Sequence, residues 1–331
     1  MGRRIVKIAL LILFILGTIY VAFQVSPYPS VWIVRYFFEK EAKTANDRLS
    51  AFVPGHVSGI ADIGYDTSDP DALLDVYYPK EAATNGELLP LIVWTHGGGL
   101  ISGKKEHLEN YCRMLAGEGF VVAAIDYTVA PKGKYPLPLR QLNLALGFLS
   151  TKASVYHADA SRIILAGDSG GAMLSAQMAN IISSEKYAKM VGIVPKIRPR
   201  QLKGTLLYCG IYDVTNLNTG GEFGGFLKTV LWAYFGKKDI FDDRYAQSAS
   251  VVDYLTPNFP ASFISAGNKD PLLEQSRLLS AKLREQHVVP DTLFYPAKHH
   301  PELAHEYQFT YDESGKAAFS RSIAFLRKVT R

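Results

Sequence analysis

The stretch Arg162-Ile-Ile-Leu-Ala-Gly167-Asp168-Ser169-Gly170-Gly171-Ala-Met-Leu-Ser-Ala176 runs an apolar segment into a glycine cluster and then into a helix-forming segment. It reads as strand, sharp turn, helix. A serine at the apex of so tight a turn takes strained backbone angles, and only small residues two before and two after it let strand and helix approach each other. Gly167 and Gly171 fill those two places. The turn lifts the Ser169 hydroxyl into solvent at the start of a helix, where unpaired N–H groups and the helix dipole favour negative charge. Ser169 is therefore the candidate nucleophile, set against the plainer reading of an incidental serine in a glycine-rich loop of a doubly wound sheet.

Working outward from this turn, strand-like and helix-like segments alternate from residue 88 to the end of the chain. Leu88 to Thr95 and Phe120 to Tyr127 are continuous apolar runs of the kind found in strands buried on both faces. Helices are predicted over Glu106 to Glu118, Leu137 to Leu149, Gly171 to about Ser183, Leu272 to Gln286 and Lys316 to Lys328. Further strands are predicted over Leu202 to Tyr212, Phe263 to Ala266 and Thr292 to Tyr295. Val57 to Asp66 and Leu73 to Pro79 form an antiparallel pair ahead of this series. Such alternation predicts an α/β protein with a mostly parallel central sheet covered by helices on both faces. One segment interrupts it, Asp213 to Leu255, which is too long for a plain connection and carries a helical apolar face from Phe226 to Phe235. A helical cap over the strand ends is the expectation for 213–255, with simple packing on the core as the alternative.

A serine hydroxyl is a weak nucleophile at neutral pH, so its use requires a base, an acid to orient that base, and donors for the oxyanion. His96-Gly97-Gly98-Gly99 ends a buried strand, and its glycines allow main-chain N–H groups to approach a substrate oxygen. Gly97 and Gly98, with the N–H of Gly170, form the expected oxyanion hole. The chain has neither G-x-G-x-x-G nor G-K-[ST], so the cluster does not read as a nucleotide-phosphate loop. Asp270 leaves a short strand at a Gly/Asn/Pro turn and is the candidate orienting acid, with Asp213 after the preceding strand as the second candidate and a helix cap as Asp270's plainer role. His299, His300 and His305 all follow the last predicted strand. The chain order Ser, Asp, His, each after its own strand, is that of a nucleophile-elbow hydrolase.

These residues together resemble the α/β-hydrolase fold, and in particular the hormone-sensitive-lipase-like carboxylesterases: His96-Gly-Gly-Gly, Gly167-Asp-Ser-Gly-Gly, Gly267-x-x-Asp270-Pro-Leu and a downstream histidine. Leu74-Asp-Val-Tyr-Tyr-Pro, ahead of the oxyanion loop, is similar to the strand found there in these esterases. The resemblance covers roughly residues 57–331 and implies that Ser169 is acylated, that Asp270 and a histidine complete a triad, and that Gly97, Gly98 and Gly170 hold the oxyanion. Two departures stand out. Gly170 replaces the common alanine, and the usual His-Gly-Phe ending is absent. The base is then His300, aligned without a gap after Phe294-Tyr-Pro, or His305, whose trailing Phe309 and loop length favour it. The implied activity is hydrolysis of short to medium acyl or acetyl esters of small molecules, without metal or cofactor. The alternatives are a serine peptidase or amidase on the same fold, and a non-catalytic hydrolase-like binding protein.

Composition limits the partners. With 331 residues, 48% hydrophobic and 20% charged, the chain can bury one large α/β core plus an appendage. The formal net charge of +5 owes part to Arg3, Arg4 and Lys7, and no basic run interleaved with aromatics marks a nucleic-acid surface. Cys112 and Cys209 belong to no metal or redox motif and read as buried free thiols or one disulfide. Ile5 to Val25 carries Lys7 as its sole charge and is long enough to span a bilayer, without the short core and small-residue cut of a cleaved signal. Residues 1–27 therefore read as a single-pass anchor of the cell membrane, and the charges before the span place 28–331 on the extracytoplasmic side; a secreted enzyme is the alternative. Ser30 to Phe38 could lie at the membrane interface or fold back as a helix over the active site.

Overall fold

The computed structural model describes residues 2–240 and 243–331, so that two positions of the 213–255 insertion lie outside the described residues, as does Met1 of the 1–27 segment. In chain order the elements are α1 (Gly2–Val25), α2 (Tyr28–Leu49), β1 (Val57–Gly64), β2 (Leu73–Pro79), α3 (Ala82–Asn85), β3 (Leu89–Thr95), α4 (Glu109–Ala116), β4 (Val121–Ile125) and α5 (Leu137–Lys152). There follow β5 (Ala158–Asp168), α6 (Ser169–Ser183), α7 (Glu185–Val191), β6 (Leu202–Tyr208), α8 (Gly221–Phe235), α9 (Arg244–Gln247), β7 (Ala261–Ala266), α10 (Leu273–Glu285), β8 (Asp291–Phe294) and α11 (Glu313–Val329). The strands make one sheet in the order β1-β2-β4-β3-β5-β6-β7-β8. β2 is antiparallel to both of its neighbours, and every other pairing is parallel.

Side chains alternate along each strand, so the sheet divides its core in two. Leu91, Val93, Ile163 and Leu165 face a cluster built with α5, α6 and the insertion. Ile92, Trp94, Ile164 and Ala166 face the other cluster, with α4 and α11. Both faces of β3 and β5 are thus buried, which is why their sequences read as unbroken apolar runs. Ser169 stands at the C-terminal edge of β5, in the middle of the sheet.

Several boundaries differ from those read in sequence. The helix expected over Glu106 to Glu118 is a tight turn at Lys105–Leu108 followed by the shorter α4. β6 stops at Tyr208 although the apolar run continues, because Cys209 takes a left-handed φ of 44° and turns the chain away. The polar connection after α6 holds α7, started by the Ser184 side chain accepting the N–H of Tyr187. Within the insertion, α8 ends at Gly236 in the left-handed conformation, and Ser30 to Phe38 proves to be part of the 22-residue α2. α1 is long and apolar enough to cross a membrane, and none of its hydrophobic window is buried against the rest of the chain.

The elbow requires its glycines. Ser169 has φ 49°, and a Cβ added to Gly171 would lie 2.0 Å from the carbonyl oxygen of Thr95. At Gly167 it would lie 2.5 Å from the carbonyl carbon of Gly171. Both obstacles are backbone and cannot rotate aside. Gly171→Ala should therefore cost at least about 3 kcal/mol of stability in urea denaturation, the range of an overpacked core site. A cost under about 1 kcal/mol would mean that β3 and α6 can part without loss.

Candidate active site

β5 carries Ser169 to the centre of the sheet edge, and β7 delivers Asp270 beside it through the turn Gly267 to Asp270, closed by the Asp270 N–H donating to Gly267 O at 3.2 Å. The histidine loop is tied to that same turn. The N–H of Leu303 donates to Asn268 Oδ1 at 2.8 Å, and the N–H of Lys269 donates to Leu303 O at 3.0 Å. Gly267 is needed there because a Cβ would meet Leu303 O at 2.2 Å. After His305 the chain enters a short turn at Tyr307–Thr310, and Phe309 packs edge-on to Tyr111 with ring centroids 5.0 Å apart. An aromatic pair of this kind is worth about 0.5–1.5 kcal/mol beyond its buried area and pins the loop from the far side.

With both ends held, His305 lies between the other two residues. Its Nδ1 is 3.0 Å from each carboxylate oxygen of Asp270, and its Nε2 is 3.0 Å from Ser169 Oγ. The Asp270 side chain is fully buried, and that of His305 is one-quarter exposed. Asp270 Oδ1 also accepts the N–H of Leu272 at 2.7 Å, so the residue both closes its turn and faces the imidazole. Asp213 is occupied elsewhere: its carboxylate accepts from Thr215 and Asn216 and anchors the start of the insertion. His300 is exposed, and His299 packs on Tyr295 with its Nε2 3.5 Å from Ser314 Oγ, so neither is brought to Ser169.

Burial alone would lower the pKa of His305, but Cys209 and Asp270 beside it carry it well above the ordinary histidine value. Burial pushes the Cys209 thiol up to about 12, so it is neutral at pH 7 and Asp270 is the charge that matters. Cys209, Asp270 and His305 place potential ligand atoms within 4.8 Å of one another. The Nδ1 and carboxylate atoms of that group are already bonded to each other, and a neutral thiol is a poor metal ligand, so the three form the floor of the serine site. Cys112 and Cys209 are both buried free thiols.

The oxyanion loop departs from expectation at its first glycine. The Gly97 N–H is not free, because it donates to Asp168 Oδ2 at 2.8 Å. The N–H groups of Gly98 and Gly99 have no acceptor among the described residues, and Gly170 sits in the first turn of α6, where a helix offers its N–H no partner. The Gly99 N–H, not singled out in sequence, is thus available beside those of Gly98 and Gly170. Gly98 has φ 87° and Gly99 φ 62°, and a Cβ on Gly99 would lie 2.7 Å from the ring of Phe226 on α8. The His96 ring stacks on Tyr127 at 4.3 Å, and burial lowers it to a pKa of about 4, so it supports the loop as a neutral group.

Two further residues escaped the sequence reading. Asp168 is buried between the two loops, where its Oδ1 accepts the indole N–H of Trp94 at 2.7 Å while Oδ2 holds Gly97. Glu306, immediately after His305, has φ 57° and stands where the resembling esterases have glycine, a residue that takes this conformation without strain. Its carboxyl is hydrogen-bonded to Asp168 and lies 3.7 Å from His305 Nε2. The signal was present as the replacement of glycine by glutamate, but sequence cannot show that it meets a buried acid from another loop.

Burial and the Glu306 carboxylate hold the Asp168 pKa well above the usual carboxylate range. Asp168 therefore favours folding fully below about pH 4, its ordinary value, and this contribution is lost as pH rises from there toward the folded value. Glu306→Gln would give Asp168 an amide donor and favour its carboxylate. Its unfolding free energy, measured in urea, should fall less steeply between about pH 5 and 8 than that of the wild type. Equal slopes would remove Glu306 from the pair.

Comparison with known proteins fits this geometry. Esterase B from Lactobacillus Rhamnosis matches with a TM-score of 0.75 at 22% identity, over 91% of this chain and 96% of that one. The Pyrobaculum calidifontis esterase matches with a TM-score of 0.71 at 25% identity, over 90% and 93%. A thermophilic carboxylesterase cloned from a metagenomic library matches with a TM-score of 0.69 at 20% identity, over 93% and 99%. These likenesses show the α/β-hydrolase fold, as the motifs resembling hormone-sensitive-lipase-like esterases implied. A family model described as BD-FAE matches residues 74–283, from β2 through most of α10 and including both Ser169 and Asp270, and the chain belongs to that family.

Proposed function

We propose that the protein is a carboxylic ester hydrolase in which Ser169, His305 and Asp270 carry an acyl group through an acyl-enzyme, and that its substrates are short to medium acyl or acetyl esters of small molecules. The observation that supports this most is the unbroken line of contacts from the Asp270 carboxylate through both nitrogens of His305 to Ser169 Oγ. Ser169 Oγ attacks the ester carbonyl carbon while His305 Nε2 takes its proton, and Asp270 holds Nδ1–H and steadies the imidazolium. The carbonyl oxygen, now negative, receives hydrogen bonds from the N–H groups of Gly98, Gly99 and Gly170. His305 passes the proton to the departing alcohol oxygen as the C–O bond breaks. Water, deprotonated by His305, then releases the acid and restores Ser169. The insertion 213–255 caps the site, and Phe223 and Phe226 on α8 line the acyl or alcohol pocket.

Single alanine replacements of Ser169, His299, His300 and His305, checked for folding by circular dichroism, test the assignment on p-nitrophenyl acetate. Ser169→Ala and His305→Ala should lower kcat by about four to six orders of magnitude, and the other two should change it less than about tenfold. An active His305→Ala beside a dead His300→Ala would transfer the role of base to His300. Parallel assays on aminoacyl anilides separate an esterase from an amidase. A wild type that neither turns over esters nor takes a fluorophosphonate on Ser169 would leave only a binding protein.

We also infer that 1–27 is an uncleaved anchor holding the domain 28–331 on the extracytoplasmic side, supported by the apolar α1 and the basic residues before its span. The full-length protein should remain in membranes through high-salt and carbonate washes, and a chain lacking 1–27 should be soluble. A mature N-terminus near Ser26 by mass spectrometry would make it a secreted enzyme instead.

A further inference from the structure

α2 has two faces that serve different neighbours. Toward the domain, Val31 and Leu49 are buried, Arg35 donates to the carbonyls of Ile101 (2.9 Å) and Ala130 (3.1 Å), and Asn46 accepts two hydrogen bonds from Asn110. The helix is thereby bolted to the loops around the site and cannot swing clear. Its opposite face carries Trp32, Ile33, Tyr36 and Phe37, from 51% to 67% exposed. Spaced i, i+1, i+4 and i+5, they make one continuous apolar stripe. The stripe stops at Phe37. From Lys40 on, the outer positions are charged or polar, with Lys43 and Asp47 paired at 2.7 Å.

This gradient follows distance from α1. Two residues separate Val25 from Tyr28, so Trp32 lies within about 15 Å of the end of the apolar span, and the charged turns begin about two helical turns beyond it. Trp and Tyr at that distance, with charges farther out, is the pattern of a helix seated at a membrane surface. A protein partner would not require the apolar residues to be confined to the turns nearest the span. The inner face of the same turns leads to the nucleophile: Phe38 meets Phe226 at 5.3 Å, Phe226 meets Phe223 at 4.9 Å, and Phe223 lies 6.4 Å from the His305 ring.

We propose that the outer face of α2 beds in the lipid interface of the membrane that α1 spans, and that the enzyme draws amphiphilic esters from that membrane along Phe38, Phe226 and Phe223. This rests on the ester hydrolase and anchor readings above and names their substrate class. A medium-length acyl chain leaving the bilayer beside α2 remains against aromatic surface on its way to Ser169, whereas a small soluble ester has no need of that path.

The test uses full-length protein in phosphatidylcholine nanodiscs. Brominated phosphatidylcholine should quench the tryptophan emission of the wild type well beyond that of Trp32→Phe, since Trp94 is buried in the core and Trp232, on α8 beneath Lys238, is common to both proteins. The double variant Ile33→Glu/Phe37→Glu should hydrolyse soluble p-nitrophenyl acetate within about twofold of wild type, as surface changes away from the site do. On p-nitrophenyl decanoate held in the same nanodisc it should lose at least about tenfold, the loss expected when interfacial seating is abolished. Unquenched Trp32, or an equal effect of the variant on both esters, would overturn the proposal. Unquenched Trp32 together with a dimer in native mass spectrometry would assign the stripe to a second copy of the chain. A wild type inactive on both esters counts against the hydrolase reading, and the quenching result then decides the seating of α2 by itself.

Discussion

The backbone of Gly171 passes so close to the carbonyl of Thr95 that a single methyl group would not fit between them. That contact makes the exits of β3 and β5 one unit. The Ser169 turn and the His96–Gly99 loop therefore share a backbone wall, and Asp168, at the end of β5, closes it by gripping both Trp94 and Gly97 at the exit of β3. The distances on which acyl transfer depends are thus set by main-chain sterics and one buried carboxyl, with little left to mobile surface side chains.

The base is held differently. His305 belongs to a loop with no regular structure before it, and its position is secured at both ends, by Asn268 and Lys269 upstream and by Phe309 in the aromatic cluster downstream. The carbonyl of Leu303 lies where a side chain on residue 267 would be, which ties the acid's turn to the base's loop. In the proposed mechanism Asp270 and His305 act as a pair, and the Lys269–Leu303 backbone hydrogen bond joins the turn of one to the loop of the other.

Much of this was legible in the chain. The buried strands announced themselves as apolar runs, because a sheet covered on both faces has no polar side to alternate with. The elbow was legible because only glycine survives at residues 167 and 171. The engagement of the Gly97 N–H was not legible, because a glycine's freedom says nothing about where its N–H points, and the acceptor that claims it, Asp168, lies on another strand. The later turns of α2 were hidden by their charges, which face solvent while Asn46 and Leu49 reach inward. Glu306 could be seen to break the family pattern, but its meeting with Asp168 depends on two loops that only the folded sheet brings together.

The position of Phe309 has a consequence for biosynthesis. In the proposed mechanism Ser169 precedes its base by 136 residues, and the loop that carries the base leans on Phe309, packed against Tyr111 in the cluster that α11 completes. A growing chain can therefore display the elbow, the oxyanion loop and even the acid while remaining chemically inert. On that mechanism reactivity comes late in synthesis, with the segment that brings Phe309 and α11 to the cluster.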